Sequence, residues 1–393
     1  MKSTTVRLIY TQVVLIAAAV VLGEALAIAG HGLAGRWIVG PDGRGHLFDF
    51  AAFWVAGHFA LEGHATTAYD WQMVRNAEIS LTGDDAQPPL PFLNAPHFLL
   101  VLIPLATFPY HIAFLIFVVV SMGLYALAIA TISGRWTAFI ALASPPVLAC
   151  AMVGQNGMLS AALIGFALLA IERRPVIGGL LLSLMTYKPQ FGLLFPLALG
   201  SNRQWTTFTA ATVGSLLLLI LTGAVFDFEI FRVALQGIST AWQEIIVNGS
   251  IGWRRLHSLY GLARTLGLGH LPALVAQIAL AVLTAGALIA LWRRPVAYEL
   301  KAAGLAAGCL LPPPYVFSYD FPILSVAVAF LWREREFDVF EWVVLGFCGL
   351  LLLLATHYGL PLAFLVCIAV LVLVFRRASP RLAKANQATS ADT

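Results

Sequence analysis

Apolar runs of bilayer length recur along this chain, the first from Leu8 to Ala29, punctuated by little except Arg, Pro and Gly. A hydrocarbon core of about 30 Å takes roughly 20 such residues in a helix, and a water-soluble fold has no use for run after run of them. Composition agrees: 60% of the 393 residues are hydrophobic and 11% are charged, whereas a soluble globule carries about a quarter charged. A soluble enzyme is thereby excluded. The chain reads as an all-α polytopic membrane protein forming a single domain over 1–378, with a polar, disordered cytoplasmic tail over 379–393. The net charge of +4 is modest and points to no nucleic acid partner; the Lys and Arg residues read as groups that orient the chain in the membrane.

The start of the chain has two readings. Lys2 and Arg7 ahead of an apolar run ending near Ala25-Leu26-Ala27 resemble a secretory signal, but the run continues to Ala29, so an uncleaved first helix is expected. A polar segment follows, carrying Asp42, Asp49, Glu62, Asp70 and Glu78. Within it, 96–109 is apolar but too short to cross and bounded by prolines. It is expected to lie in the outer leaflet, which leaves 30–110 as one large first periplasmic loop with helices on the membrane surface. Further spans are expected at 111–132, 136–153, 157–171, 205–224, 271–291, 297–313, 319–332, 338–355 and 360–376, with a second outer loop over 225–270.

Charge decides the run 176–200, whose midpoint is Tyr187-Lys188-Pro189-Gln190. As a hairpin it puts Lys2, Arg135, Arg173, Arg174, Arg203, Arg293 and Arg333 on one side, as the positive-inside rule requires; as a single span it scatters them. The count becomes about 12 crossing elements with both termini cytoplasmic. Each arm of the hairpin, about 12 residues, reaches roughly 18 Å. That falls short of the hydrocarbon thickness, so Lys188 is expected recessed below the outer surface, where an ionisable group marks a functional site.

Cys150, Cys309, Cys348 and Cys367 lie in apolar runs with no Cys-x-x-Cys or Cys/His spacing, so neither a disulfide framework nor a metal centre is expected. Inner segments such as Glu172-Arg173-Arg174-Pro175 and Trp332 to Glu336 read as topology anchors. The outer face collects Asp49, Asp70, His97, Gln155, Asn156, Tyr187, Lys188, Arg254, Arg255, His257, Tyr319 and Asp320.

Several motifs on that face stand in a characteristic order. They are Asp49-Phe50-x-x-Phe53-Trp54-x-Ala56-Gly57 leading to Ala68-Tyr69-Asp70, Ala95-Pro96-His97-Phe98, Gly154-Gln155-Asn156-Gly157, Tyr187-Lys188-Pro189-Gln190, and Tyr315 to Tyr319-Asp320. Together, from Phe48 to Phe330, they resemble glycosyltransferase family 87, membrane enzymes of the GT-C class. The resemblance implies a GT-C-like bundle in the bacterial cytoplasmic membrane. It implies transfer of a sugar, mannose by default, from a polyprenyl phosphate to a glycolipid, polysaccharide or protein acceptor on the outer face, without cofactor or metal. Physics points the same way, since nucleotide sugars are cytoplasmic and an outer-face transfer needs a donor that crosses the bilayer.

The resemblance assigns Asp49 as the base that deprotonates the acceptor hydroxyl, with Phe50, Phe53 and Trp54 holding the stretch at the membrane surface. Read from the residues alone, the alternative is that Asp49 is only an N-cap for the helix that follows. Lys188 suits the charge of a leaving phosphate or snorkels to the surface. Arg254, Arg255 and His257 suit the same phosphate or form a solvated loop. Gln155 and Asn156 suit sugar hydroxyls or a tight turn. Tyr187, His97, Tyr319, Asp320 and Asp70 complete the sugar and acceptor contacts, although Asp70 reads more readily as a loop-stabilising group, and His357 reads as incidental. One base acting alone implies inversion. A transporter or flippase of a lipid-linked sugar is the other class open here; it calls for midplane charges and repeat symmetry, whereas these polar residues collect on one face.

Overall fold

The computed structural model describes residues 4–83 and 90–379; the expected disordered tail falls almost wholly outside them. Among the described residues the chain is helical, with isolated bridges joining Trp37, Val39 and Gly45 as the only extended pairing. Helix α1 (Thr4–Leu33) keeps Leu15, Ile16, Leu22 and Leu26 exposed, as suits a helix facing lipid. Tyr10 fastens it, stacked at 5.2 Å on Trp332.

A loop leads to α2 (Phe50–Leu61) and α3 (Trp71–Thr82), and a 3-10 turn at Pro96–Phe98 leads to α4 (Leu99–Ala106). The surface-held stretch expected after Asp49 takes another form. Phe50 and Phe53 are buried, Phe50 meeting Phe114 edge-on at 5.4 Å and Phe53 meeting Phe98 at 5.6 Å. Gly57 lets α2 come so close to α4 that a Cβ there would stand 2.8 Å from the Leu102 carbonyl oxygen. These aromatic residues therefore anchor α2 in the protein core, where edge-on ring pairs add to the burial of their area.

After α5 (Tyr110–Ser133), the span expected over 136–153 is broken into α6 (Arg135–Leu142) and α7 (Pro145–Val153), bent by 66°. Pro145 and Pro146 have no N–H to continue the ladder of α6 and are tolerated only in the first turn of a new helix. Next come α8 (Gly157–Ile171) and α9 (Pro175–Leu184). The run 176–200 then breaks at Lys188, followed by α10 (Pro189–Gly192) and α11 (Phe195–Ser201). Beyond α12 (Trp205–Phe226), the segment 225–270 holds α13 (Glu229–Ala241) and α14 (Leu259–Thr265). The remaining helices are α15 (His270–Arg293), α16 (Tyr298–Gly308), α17 (Pro322–Glu334), α18 (Val339–Tyr358) and α19 (Phe364–Arg377).

Among the described residues five helices, α1, α5, α12, α15 and α18, are long and apolar enough to cross a membrane unaided, and the bent α6–α7 pair is a sixth candidate. Hydropathy suggests about twelve crossing elements. The difference lies in α8, α9, α16, α17 and α19, which are 10 to 15 residues long and reach roughly 15–22 Å, and in the second hairpin arm, broken into α10 and α11 of 4 and 7 residues. Apolar content continues across the points where their hydrogen-bond ladders stop. α16 is buried almost throughout and α8 on most sides; both pack with α17, and α8 also packs with α5. Helices apolar all round thus form the centre, with longer ones outside. All four cysteines are buried and unpaired.

The charges expected as topology anchors do more than orient the chain. At the start of α18, the Glu341 N–H donates to Asp338 Oδ1 at 2.9 Å and the Asp338 N–H to Glu341 Oε2 at 3.1 Å, a reciprocal cap. Glu341, fully buried, also accepts both Arg377 Nε at 2.8 Å and Arg377 Nη2 at 2.6 Å, with Arg335 and Arg376 on its Oε1 at 3.0 and 2.9 Å. Arg377 Nη1 donates to Glu334 Oε2 at 2.8 Å. One carboxylate so ties together the ends of α17, α18 and α19.

Candidate active site

A cavity of about 670 Å³ opens where several of these broken helices end. Its wall is mostly apolar, and its polar groups are contributed by Asp49, Asn94, Gln155, Lys188, Arg255, His257, Ser318, Asp320 and His357, with the aromatic rings of Tyr315, Phe317, Tyr319 and Tyr358 between them.

Asp49 immediately precedes α2, the position of an N-cap, yet its side chain makes no cap bond. Its backbone is already helical (φ −54°, ψ −27°), which turns the carboxylate away from the N–H groups of the first turn. Instead Oδ2 accepts a hydrogen bond from Gln155 Nε2 at 3.0 Å. Burial raises the Asp49 carboxyl above its ordinary pKa; the bond from Gln155 and the charges of Arg255 and Lys188 oppose that rise, and Asp320 adds to it.

The turn between α7 and α8 brings Gln155 there. Gly154 ends α7 in the left-handed region (φ +69°), and a Cβ on it would stand 2.6 Å from Phe50 Cβ. The Gln155 N–H donates to the Cys150 carbonyl at 3.0 Å, and Gln155 Oε1 accepts the Asn156 N–H at 3.2 Å. Gly157 opens α8 directly beneath the Tyr319 carbonyl oxygen, which a Cβ would approach to 1.7 Å. Gly157→Ala is therefore expected to push the 315–320 loop out of place and lower stability by about 1–3 kcal/mol, read as a drop in melting temperature in detergent.

Lys188 sits at the break after α9, almost fully buried, its Nζ 2.7 Å from Asp320 Oδ1. Asp320 Oδ2 accepts the Phe317 N–H at 3.0 Å, so both of its oxygens are committed. The ammonium also lies 5.6 Å from each of the Phe191 and Tyr319 ring centres, distances at which ring faces attract a cation. Its remaining N–H groups take no protein acceptor among the described residues.

The other expected site residues divide. Arg255, His257 and Tyr319 line the cavity, whereas Arg254 is exposed outside it. Burial lowers the His257 imidazole to about 4, against an opposing hydrogen bond to the Leu360 carbonyl. It is neutral at physiological pH and brings no charge to a phosphate. Asn156 is fully buried in the turn, donating to Asn94 Oδ1 at 3.0 Å. Tyr187 lies outside the cavity, stacked at 4.7 Å on Phe98, its hydroxyl 2.6 Å from Ser160 Oγ. His97 is also outside, with Thr186 Oγ1 at 3.3 Å from Nε2. Asp70 caps α3, accepting from the Gln72 and Met73 N–H groups at 2.9 and 3.0 Å. These four side chains are held by intramolecular partners and do not face the cavity.

Conversely, Asn94 lines the cavity without having been singled out, as do His357, read as incidental, and Gln190 and Tyr315, which stand in the motifs without an assigned contact. For His357 the signal was available: it lies in the last turn of α18, two residues before Gly359, whose left-handed backbone (φ +58°) ends the helix beside the site. Among the described residues no three His, Cys, Asp or Glu side chains converge as a metal site would require.

Bilayer-length helices, together with a half-open cavity that holds carboxylates and cations, define an integral membrane protein with a recessed polar site. The model of glycosyltransferase family 87 matches residues 92–314, more than half of the chain, and the chain belongs to that family. It is therefore an enzyme, a membrane glycosyltransferase, and the transporter reading is set aside. The matched region is narrower than the stretch from Phe48 to Phe330 over which the motifs run. It includes Gln155, Lys188, Arg255 and His257, while Asp49 and Asp320 stand outside it and meet it through the contacts above. No curated protein and no solved structure matches the chain.

Proposed function

We propose that this glycosyltransferase moves a sugar, mannose or a similar hexose, from a polyprenyl phosphate to a hydroxyl of a glycolipid or polysaccharide on the outer face of the cytoplasmic membrane. Asp49 takes the proton of the attacking hydroxyl, and Lys188 with Arg255 receives the phosphate that leaves. The observation that carries this reading is that one cavity, half enclosed by apolar helices, is lined by both Asp49 and Lys188. A water-poor site strengthens fixed charges aimed at the leaving group, and an ammonium has three donors, of which Asp320 uses one. An apolar wall suits the lipid tail of such a donor. The distribution of Lys and Arg favours cytoplasmic termini and about 12 crossing elements, with the short helices paired across the bilayer. Direct attack assisted by a single base gives inversion; the reading uses neither cofactor nor metal.

The test offers a panel of polyprenyl-phosphate sugars to membranes containing the wild-type protein or Asp49→Asn. Transfer of at least one labelled sugar by wild type, lost in the variant, is the expected result. Wild-type turnover with nucleotide sugars and with none of the lipid-linked ones overturns the donor class.

A further inference from the structure

We propose that Gln155 is the positioning residue of Asp49: its side-chain amide holds one carboxylate oxygen, Oδ2, and leaves the other, Oδ1, facing the cavity as the atom that takes the proton. The inference rests on the reading of Asp49 as base, and it moves Gln155 from the sugar-contacting role that its motif suggested.

The amide has only one workable orientation. Gln155 Oε1 accepts the Asn156 N–H at 3.2 Å, and the Gln155 backbone is fixed by its own N–H on Cys150. With the oxygen so engaged, the NH₂ end must face Asp49, and it does, at 3.0 Å. A flipped amide would set two acceptors against each other and oppose one donor with another. Asp49 Oδ1 takes no protein donor among the described residues, nor is it among the buried polar atoms left without a partner. It is therefore the oxygen open to an incoming hydroxyl.

A hydrogen bond from a neutral donor favours the ionised carboxylate and hinders the protonated one. That matters because a base must be ionised to act, and burial works against ionisation here. Arg255 and Lys188 attract the charge, while Asp320 and Glu78 repel it. The phenols of Tyr110, Tyr315 and Tyr319 and the neutral imidazole of His257 surround it without adding charge of their own. Gln155 alone among these neighbours bonds the carboxylate directly.

The test titrates Asp49 without any substrate. Purified full-length protein in detergent is treated with dicyclohexylcarbodiimide, which modifies protonated buried carboxyls, and labelling of the Asp49 peptide is followed by mass spectrometry against pH. Gln155→Met keeps the length of the side chain and removes its donor; half-labelling is expected to move up by about one pH unit or more. Gln155→Glu keeps the shape and adds a second carboxyl, so the pair should retain a shared proton to a still higher pH. The acidic limb of the transfer rate should move in the same direction, with KM for the lipid donor unchanged. Unmoved half-labelling in both variants overturns the role of Gln155, whatever Asp49 does. Full transfer by Asp49→Asn, with the labelling shift still present, removes the base and leaves the Gln155 contact standing.

Discussion

Asp49→Asn is expected to lower sugar transfer by about a hundredfold to ten-thousandfold while leaving the fold intact. The amide oxygen of Asn can still accept from Gln155 Nε2, so the contact between α2 and the α7–α8 turn survives. What is lost is a group able to take a proton. The same chemistry fixes the pH dependence of the wild type. As the proposed base, Asp49 must be ionised to act, and its burial raises its pKa, so the rate is expected to fall as pH drops through a value above the ordinary carboxylate range of about 4. A pH–rate profile checks the sign. An acidic limb at or below that range would mean that a different group is titrating.

Glu341→Ala should give the largest loss of stability, about 3–5 kcal/mol, because it leaves the Nε and Nη2 of Arg377, whose side chain is 1% exposed, without their carboxylate, and only Nη1 keeps its partners, Glu334 and the Leu331 and Arg335 carbonyls. Arg335 and Arg376 lose their shared acceptor as well, and the cap of α18 loses one of its two bonds. Glu341→Gln, which keeps a hydrogen-bond acceptor at that position, should cost less. The network begins α18 and the cavity meets the other end of that helix, 20 residues away, a distance of roughly 30 Å. Melting in detergent should therefore fall while KM stays unchanged in protein that remains folded. An unaltered melting temperature would show that these charges do no more than orient the chain.

The sequence separates readily into what local pattern records and what it does not. Long apolar runs marked α1, α5, α12, α15 and α18, because a helix that must cross lipid alone carries its whole signal in one stretch. Lys188 stood out for the same reason, as a charge inside such a run. The break at Pro145-Pro146 was present in the residues, yet composition averaged over a window passes across it. Partnerships were beyond reach: Gln155 lies 106 residues from Asp49, and Lys188 lies 132 from Asp320. Asn156 and Tyr187 stand in polar motifs that look exposed, and only packing shows them turned inward onto Asn94 and Ser160. Charge pattern alone likewise made Glu334 and Arg335 look like anchors only, since sidedness in a membrane and pairing across helices leave the same trace in sequence.

The cavity wall is assembled from short pieces near residues 49, 90, 155, 188, 255, 318 and 357. A chain made from its N-terminus into a membrane gains these pieces one at a time, and the carboxylate of Asp49 waits through most of synthesis before Thr356 to Gly359 close the last side. Until then its surroundings are wetter than in the finished protein. The setting proposed for the site is thus a product of late assembly, and a ribosome stalled before α18 would leave its polar groups present and their last wall missing.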